Sequence, residues 1–123
     1  MMYAVLCYHT EDAVMSWTKE EDDAVMAKLT EVVDKYAKNG KVGPVARLLP
    51  TTAATTLRSD RNEPLVIDGP FAETKEQLLG FYLLDCESLD DALDFAREIG
   101  EVNPGGSYEV RPVGFYKLWG EAG

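Results

Sequence analysis

Asp68, Glu73 and Lys75 fall close together in the segment Asp68-Gly69-Pro70-Phe71-Ala72-Glu73-Thr74-Lys75-Glu76-Gln77, which runs directly into Leu78-Leu79-Gly80-Phe81-Tyr82-Leu83-Leu84. Asp-Gly-Pro is a turn signal. Ionisable side chains are therefore expected in a loop at the mouth of an apolar strand, where binding and catalytic groups concentrate. Asp68 has two readings. At a pocket mouth its carboxylate would serve as a general base or substrate anchor. In an Asx-type turn it would accept hydrogen bonds from backbone N–H groups downstream. Gly69 supplies backbone freedom and Pro70 fixes φ, so both shape the turn. Glu73 and Lys75 either hold a charged ligand, Lys75 against a carboxylate or enolate-like oxygen, or form a solvated loop. Thr74 with Gln77 also fits a capped helical turn.

Other side chains with chemical capacity lie further off. Glu109 and Arg111 alternate with Tyr108 and Val110, so both charges project from one face of a strand. Facing a cavity, Arg111 would anchor an anion through its bidentate guanidinium; at a subunit seam it would be an ion-pair residue. Tyr82 shares the strand after the loop, as a cavity-lining side chain or a core aromatic. His9 is the sole histidine and follows Tyr8 at a strand end. It reads as a catalytic candidate or as a surface residue beside Glu11 and Asp12. Consecutive positions diverge and no second histidine exists, so no metal is expected, and nothing in the chain implies a cofactor.

The elements that must position these residues follow from pattern. Met2–Tyr8 is rich in strand formers. Thr18-Lys19-Glu20-Glu21 opens a helix as a capping box, and Val25, Met26, Leu29, Val32, Val33 and Tyr36 recur at helical spacing up to Asn39-Gly40. Lys41–Leu49 is expected as a strand with an irregular start at Gly43-Pro44. Ala53–Arg58 and Pro64–Asp68 read as the arms of a hairpin, and Leu78–Cys86 as the strongest strand. Ser88 caps a second helix with the apolar stripe Leu89, Ala92, Leu93, Ala96 and Ile99, stopped by Gly100. The loop Asn103-Pro104-Gly105-Gly106 precedes the last strand, Tyr108–Val113, and Phe115–Trp119 is a short apolar tail.

The order β-α-β-hairpin-β-α-β is the ferredoxin-like split βαβ of an α+β fold with an extra hairpin, in a single domain over 1–123. Both helices should cover one sheet face. Val5, Phe81 and Leu83, with Leu6, Tyr82 and Leu84, give both faces apolar content, so the uncovered face calls for a partner. A homodimer, sheet against sheet as a dimeric α+β barrel, satisfies this and would enclose a pocket for a small-molecule ligand. Cys7 and Cys86 fall on strands that neighbour each other in this order, so their thiols are expected near one another, buried and inert rather than a redox pair.

Charge narrows the partners. With 22 carboxylates against 12 Lys and Arg, the net charge is −10. That excludes a cationic footprint for nucleic acid or for an anionic membrane surface. No apolar run approaches the about 20 residues that span a bilayer. Met1-Met2-Tyr3-Ala4 lacks a basic start and a cleavage site, so a cytoplasmic protein with reduced cysteines is expected.

The run Asp68–Tyr82 resembles the signature of the DGPF group of the YciI-like (YCII-related) family. Tyr3-Ala4-Val5-Leu6-Cys7-Tyr8 is similar to the family's first strand, Ala54-Thr55-Thr56-Leu57-Arg58 to its hairpin, and Glu109-Val110-Arg111-Pro112-Val113 to its last strand. The resemblance implies a bacterial protein, a dimeric α+β barrel, and a small-molecule cleft with lyase or isomerase chemistry. It also implies a non-catalytic alternative, a sensor or interaction module tied to sigma-factor systems, since such genes often neighbour those of extracytoplasmic-function sigma factors. Many members pair a helical histidine with the conserved aspartate. That position falls at or beside Leu29, where this chain has no histidine. The expected site is therefore Asp68 with Lys75, Arg111, Glu73 and Tyr82, and His9 as a further candidate.

Overall fold

A computed structural model describes residues 1–60 and 62–117. Residues Leu118 and Trp119 of the expected apolar tail lie outside the described residues. The elements are β1 (Met2–His9), α1 (Glu11–Met15), α2 (Lys19–Ala37), β2 (Val42–Arg47), β3 (Thr55–Arg58), β4 (Leu65–Asp68), β5 (Gln77–Asp85), α3 (Leu89–Val102) and β6 (Ser107–Pro112). The main sheet has the order β2-β5-β1-β6 with every pairing antiparallel. This is the ferredoxin-like α+β arrangement that the element order predicts. β3 and β4 pair only with each other, as a separate hairpin.

The helix boundaries follow local chemistry. Thr18 Oγ1 accepts from the Glu21 N–H at 3.1 Å, and Glu21 Oε1 accepts from the Thr18 N–H at 3.2 Å, so the capping box closes both ways. At the other end of α2, Gly40 takes φ +69°, and the N–H groups of Gly40 and Lys41 return to the carbonyls of Ala37 and Tyr36 in a Schellman pattern. Two expectations shift. The polar connection after β1 contains the short helix α1, and α3 runs through Gly100 to Val102. Gly100 does not stop the helix: it keeps a negative-φ backbone and its Cα packs beside the ring of Tyr108.

Residues directly opposite one another in the ladders share a face. Tyr3, Val5, Tyr82, Leu84 and Val110 therefore face α2 and α3, and there they form the core with Leu29, Ala92, Phe95, Ala96 and Ile99. Phe95 is enclosed edge-on by Tyr36 at 5.0 Å and Tyr82 at 5.2 Å between ring centroids. Glu98 of α3 accepts from both Lys35 and Tyr36 of α2 and so fastens the helices together. Those two hydrogen bonds hold its carboxyl below the ordinary value of 4.5. Because the folded-state pKa is depressed, the stabilisation is complete above about pH 5 and is lost as pH falls through the folded value. Glu98→Gln is expected to flatten the acid limb of stability measured by urea unfolding between about pH 5 and pH 3. An unchanged slope would show that Glu98 carries no such linkage.

The opposite face presents Ala4, Leu6, Phe81 and Leu83, and among the described residues no helix covers it. The β3–β4 arm stands away from the sheet with Leu57 61% and Val66 64% exposed, and the loop beyond it leaves Phe71 72% exposed. Cys86 lies beside Met1 while Cys7 pairs with Gly80. At about 3.3 Å per strand residue the two thiols sit on the order of 20 Å apart, and both are free. The sequence expectation of neighbouring thiols fails because adjacency of strands does not fix position along them. Among the described residues, no helix is long and apolar enough to cross a membrane.

Candidate functional site

On the helix side of the sheet, the strand ends near His9 border a half-open cavity of about 100 Å³. Its floor is built from Cys7, Gly80, Tyr82 and Tyr108, and its roof from Val14 and Trp17 around α1 and from Val25, Met26 and Leu29 of α2. The space exists partly because Gly80, opposite Cys7 and Arg47 in the ladders, brings no side chain into it. β5 also carries one extra residue here, Leu79, between the partners of Cys7 and Tyr8.

His9 closes one end and is only 8% exposed. Its Nε2 lies 3.3 Å from the Pro104 carbonyl oxygen. The loop Asn103–Gly106 can press on the ring because two glycines form it. Gly105 has φ +94°, and a Cβ at Gly106 would stand 3.0 Å from the Tyr8 carbonyl and 3.4 Å from His9 Cδ2. Trp17 meets the imidazole edge-on at 6.2 Å. Two buried polar atoms at this end, His9 Nδ1 and Asn103 Oδ1, have no hydrogen-bond partner.

Burial keeps Cys7, Tyr82 and Tyr108 uncharged, and Arg47 is paired. Burial pushes the Cys7 thiol up to about 12, and the Tyr82 and Tyr108 phenols to about 12. Tyr108 donates its O–H to the Asn103 carbonyl at 3.3 Å. Arg47 binds Asp22 of α2 in two parallel hydrogen bonds of 3.2 and 2.8 Å, which hold the Asp22 carboxyl below its ordinary value.

A YCII-related domain is matched over residues 1–116. The chain belongs to the YCII-related family. It is 64% identical over 118 residues to an uncharacterised protein of Rhizobium meliloti (strain 1021), covering 95% of each chain.

In this YCII-related chain His9 and Tyr82 meet in the cavity, and the other candidates lie elsewhere. Asp68 ends β4 on the arm, exposed, and its carboxylate makes no hydrogen bond to its own turn. The turn is held instead by the Gly69 N–H to the Ala54 carbonyl at 2.7 Å and by Thr56 Oγ1 to the Gly69 carbonyl at 2.8 Å, with Gly69 at φ +114°. Glu73 and Lys75 are exposed on the following loop and form no ion pair with each other. Arg111 stands on the uncovered face, opposite Ala4, where it binds Glu109 of its own strand at 3.0 Å.

The Asp68–Gln77 segment reaches the cavity through its last residue. Gln77 pairs with His9 in the ladder, and its Oε1 accepts from the Glu11 N–H at 3.1 Å. The Glu11 carboxylate in turn accepts from the N–H and hydroxyl of Thr51 at 2.6 and 2.9 Å. The loop thus braces α1, which brings Val14 and, just past its end, Trp17 over the imidazole. Sequence reasoning passed over Cys7, Trp17, Asn103 and Tyr108 as cavity residues. The Asn-Pro-Gly-Gly tetrapeptide was the available signal, since paired glycines allow a backbone to approach a ring closely.

Proposed function

We propose that this YCII-related protein binds a small uncharged compound in the cavity beside His9. The observation that supports this is a cavity of about 100 Å³ walled by aromatic and apolar side chains, with His9 and Asn103 at one end. Of the ligands the sequence suggested, the surroundings suit an uncharged carbonyl compound better than an anion, because Arg47, the arginine among the described lining residues, is bonded to Asp22. An imidazole nitrogen held there is also suited to proton transfer of the lyase or isomerase type. Saturation-transfer NMR with small uncharged carbonyl compounds tests the reading. Met26→Trp, which fills the cavity from α2, is expected to weaken binding at least tenfold. Equal binding to the variant would place the ligand elsewhere.

The reading includes a homodimer. Its support is the half-buried apolar sheet face of Ala4, Leu6, Phe81 and Leu83 together with the exposed apolar side chains Leu57, Val66 and Ile67 of the arm, surface of the kind that marks interfaces. Light scattering at about 10 μM, in the range where stable dimers persist, is expected to give twice the chain mass of 13.6 kDa. Leu83→Glu on the bare face is expected to return the monomer mass. A parent protein that scatters as a monomer would refute the dimer.

A further inference from the structure

Resting on the cavity reading above, we infer that the cavity takes the leading end of an open-chain ketone or aldehyde, whose carbonyl oxygen accepts a hydrogen bond from the Tyr82 hydroxyl. The argument begins with the donors that line the space. Cys7, Tyr82 and Tyr108 share the helix side of the sheet, because Cys7 stands opposite Tyr108 while Tyr82 stands opposite Val5, two residues before Cys7. The Tyr108 hydroxyl donates to the Asn103 carbonyl at 3.3 Å, the Cys7 thiol points at the Val5 carbonyl at 3.9 Å, and Arg47 is bound to Asp22. His9 Nδ1 and Asn103 Oδ1 are fully buried and out of reach of any occupant.

Tyr82 differs from these neighbours. Its ring is held edge-on against Phe95 at 5.2 Å, and among the described residues its hydroxyl has no hydrogen-bond partner. Burial pushes the phenol up to about 12, so it keeps its proton at neutral pH and remains a donor. Trp17 brings a second donor, its indole N–H. Trp17 also lines the groove under α1 and therefore stands at the mouth, whereas Tyr82 lines the cavity and not the groove. The inner donor is thus Tyr82, and it calls for an acceptor without charge, which a carbonyl oxygen supplies.

Size sets the rest. An apolar cavity of about 150 Å³ accepts benzene, so each non-hydrogen atom takes about 25 Å³. The cavity of about 100 Å³ then holds about four such atoms. That is the methyl, carbonyl and methylene unit at the end of a methyl ketone, and it is too little for a six-membered ring. A longer compound must leave by the open side. There the cavity shares Val14, Trp17, Arg47 and Leu79 with an open groove of about 430 Å³. The groove continues over Met15, Leu49 and Pro50, an apolar bed for an alkyl chain in which Leu49 is 78% exposed.

Methyl butyl ketone is the probe, titrated by saturation-transfer NMR. Tyr82→Phe keeps the ring against Phe95 and removes only the donor, and it is expected to weaken the ketone at least fivefold. The alkene in which a methylene group replaces the ketone oxygen should bind the parent and Tyr82→Phe equally, which also shows that the variant is folded. Cyclohexanone, with the same carbon count closed into a ring, should bind the parent at least tenfold more weakly than the open chain. Equal ketone affinity for the parent and Tyr82→Phe, or cyclohexanone binding as tightly as methyl butyl ketone, overturns the inference. If the ketone still loses affinity in Met26→Trp, the cavity reading survives that result. If the parent, Tyr82→Phe and Met26→Trp all bind it alike, the cavity reading fails as well.

Discussion

Phe95→Ala is expected to remove about 4 kcal/mol of folding stability, the upper part of the range for emptying a buried aromatic site. Phe95 is fully enclosed and is the largest such side chain in the core. Its neighbours cannot collapse into the space. Tyr36 and Tyr82 meet it edge-on from α2 and β5, and the Tyr36 hydroxyl is tied to Glu98. Each aromatic pair contributes about 0.5–1.5 kcal/mol beyond its buried area, so the substitution loses two such contacts along with the volume. Single domains hold only about 5–15 kcal/mol in total, and Phe95→Ala should therefore lie near the edge of folding at 37 °C. Phe95→Leu, which keeps most of the volume, should cost less than half as much. Urea unfolding of the two variants decides the matter, and a loss under about 2 kcal/mol for Phe95→Ala would mean that the helices close over the gap. The effect should also reach the cavity, since Tyr82 touches Phe95 on one side and lines the ligand space on the other.

The framework was readable because it rests on period and punctuation. Alternation in Met2–Tyr8, the three-and-four spacing from Val25 to Tyr36, and the stripe from Leu89 to Ile99 are local signals, and the sheet order follows once those elements are counted. The site was much less legible. The Asp68–Gln77 segment draws attention by packing charges behind a turn, yet Asp68 and Lys75 project from the arm and its loop into solvent. Arg111 sits on the far face of the sheet. What brings His9, Tyr82, Trp17 and Asn103 together is the meeting of strand ends with a five-residue helix and a glycine loop. No local pattern announces such long-range proximity. His9 shows the difficulty plainly: beside Glu11 and Asp12 it reads as a surface residue, and it is buried because Trp17 and the Gly105-Gly106 loop close over it.

Gly80→Ala should prove the more informative glycine substitution, with an expected cost of about 3 kcal/mol from overpacking. The added Cβ would lie 2.6 Å from the carbonyl oxygen of Ala46, a backbone atom of β2 that cannot rotate aside, and 3.4 Å from Arg47 Cα. Relief requires β2 to withdraw from β5 where Arg47 pairs with Gly80. That movement would strain the Arg47–Asp22 bridge, which ties β2 to the start of α2 and so to the cavity roof. Gly100→Ala is the matched comparison. It lies in α3, where its Cβ would meet Tyr108 Cε2 at an ordinary 3.5 Å, and alanine gains about 1 kcal/mol of helix propensity over glycine. The two changes should therefore have opposite signs in thermal melts, destabilising at Gly80 and neutral to stabilising at Gly100. Only Gly80→Ala should also weaken ligand binding, because the same missing side chain that lets β2 approach leaves the floor of the cavity open. Equal and small effects at both sites would mean that β2 yields easily, and the floor of the cavity would then not depend on a glycine at this position.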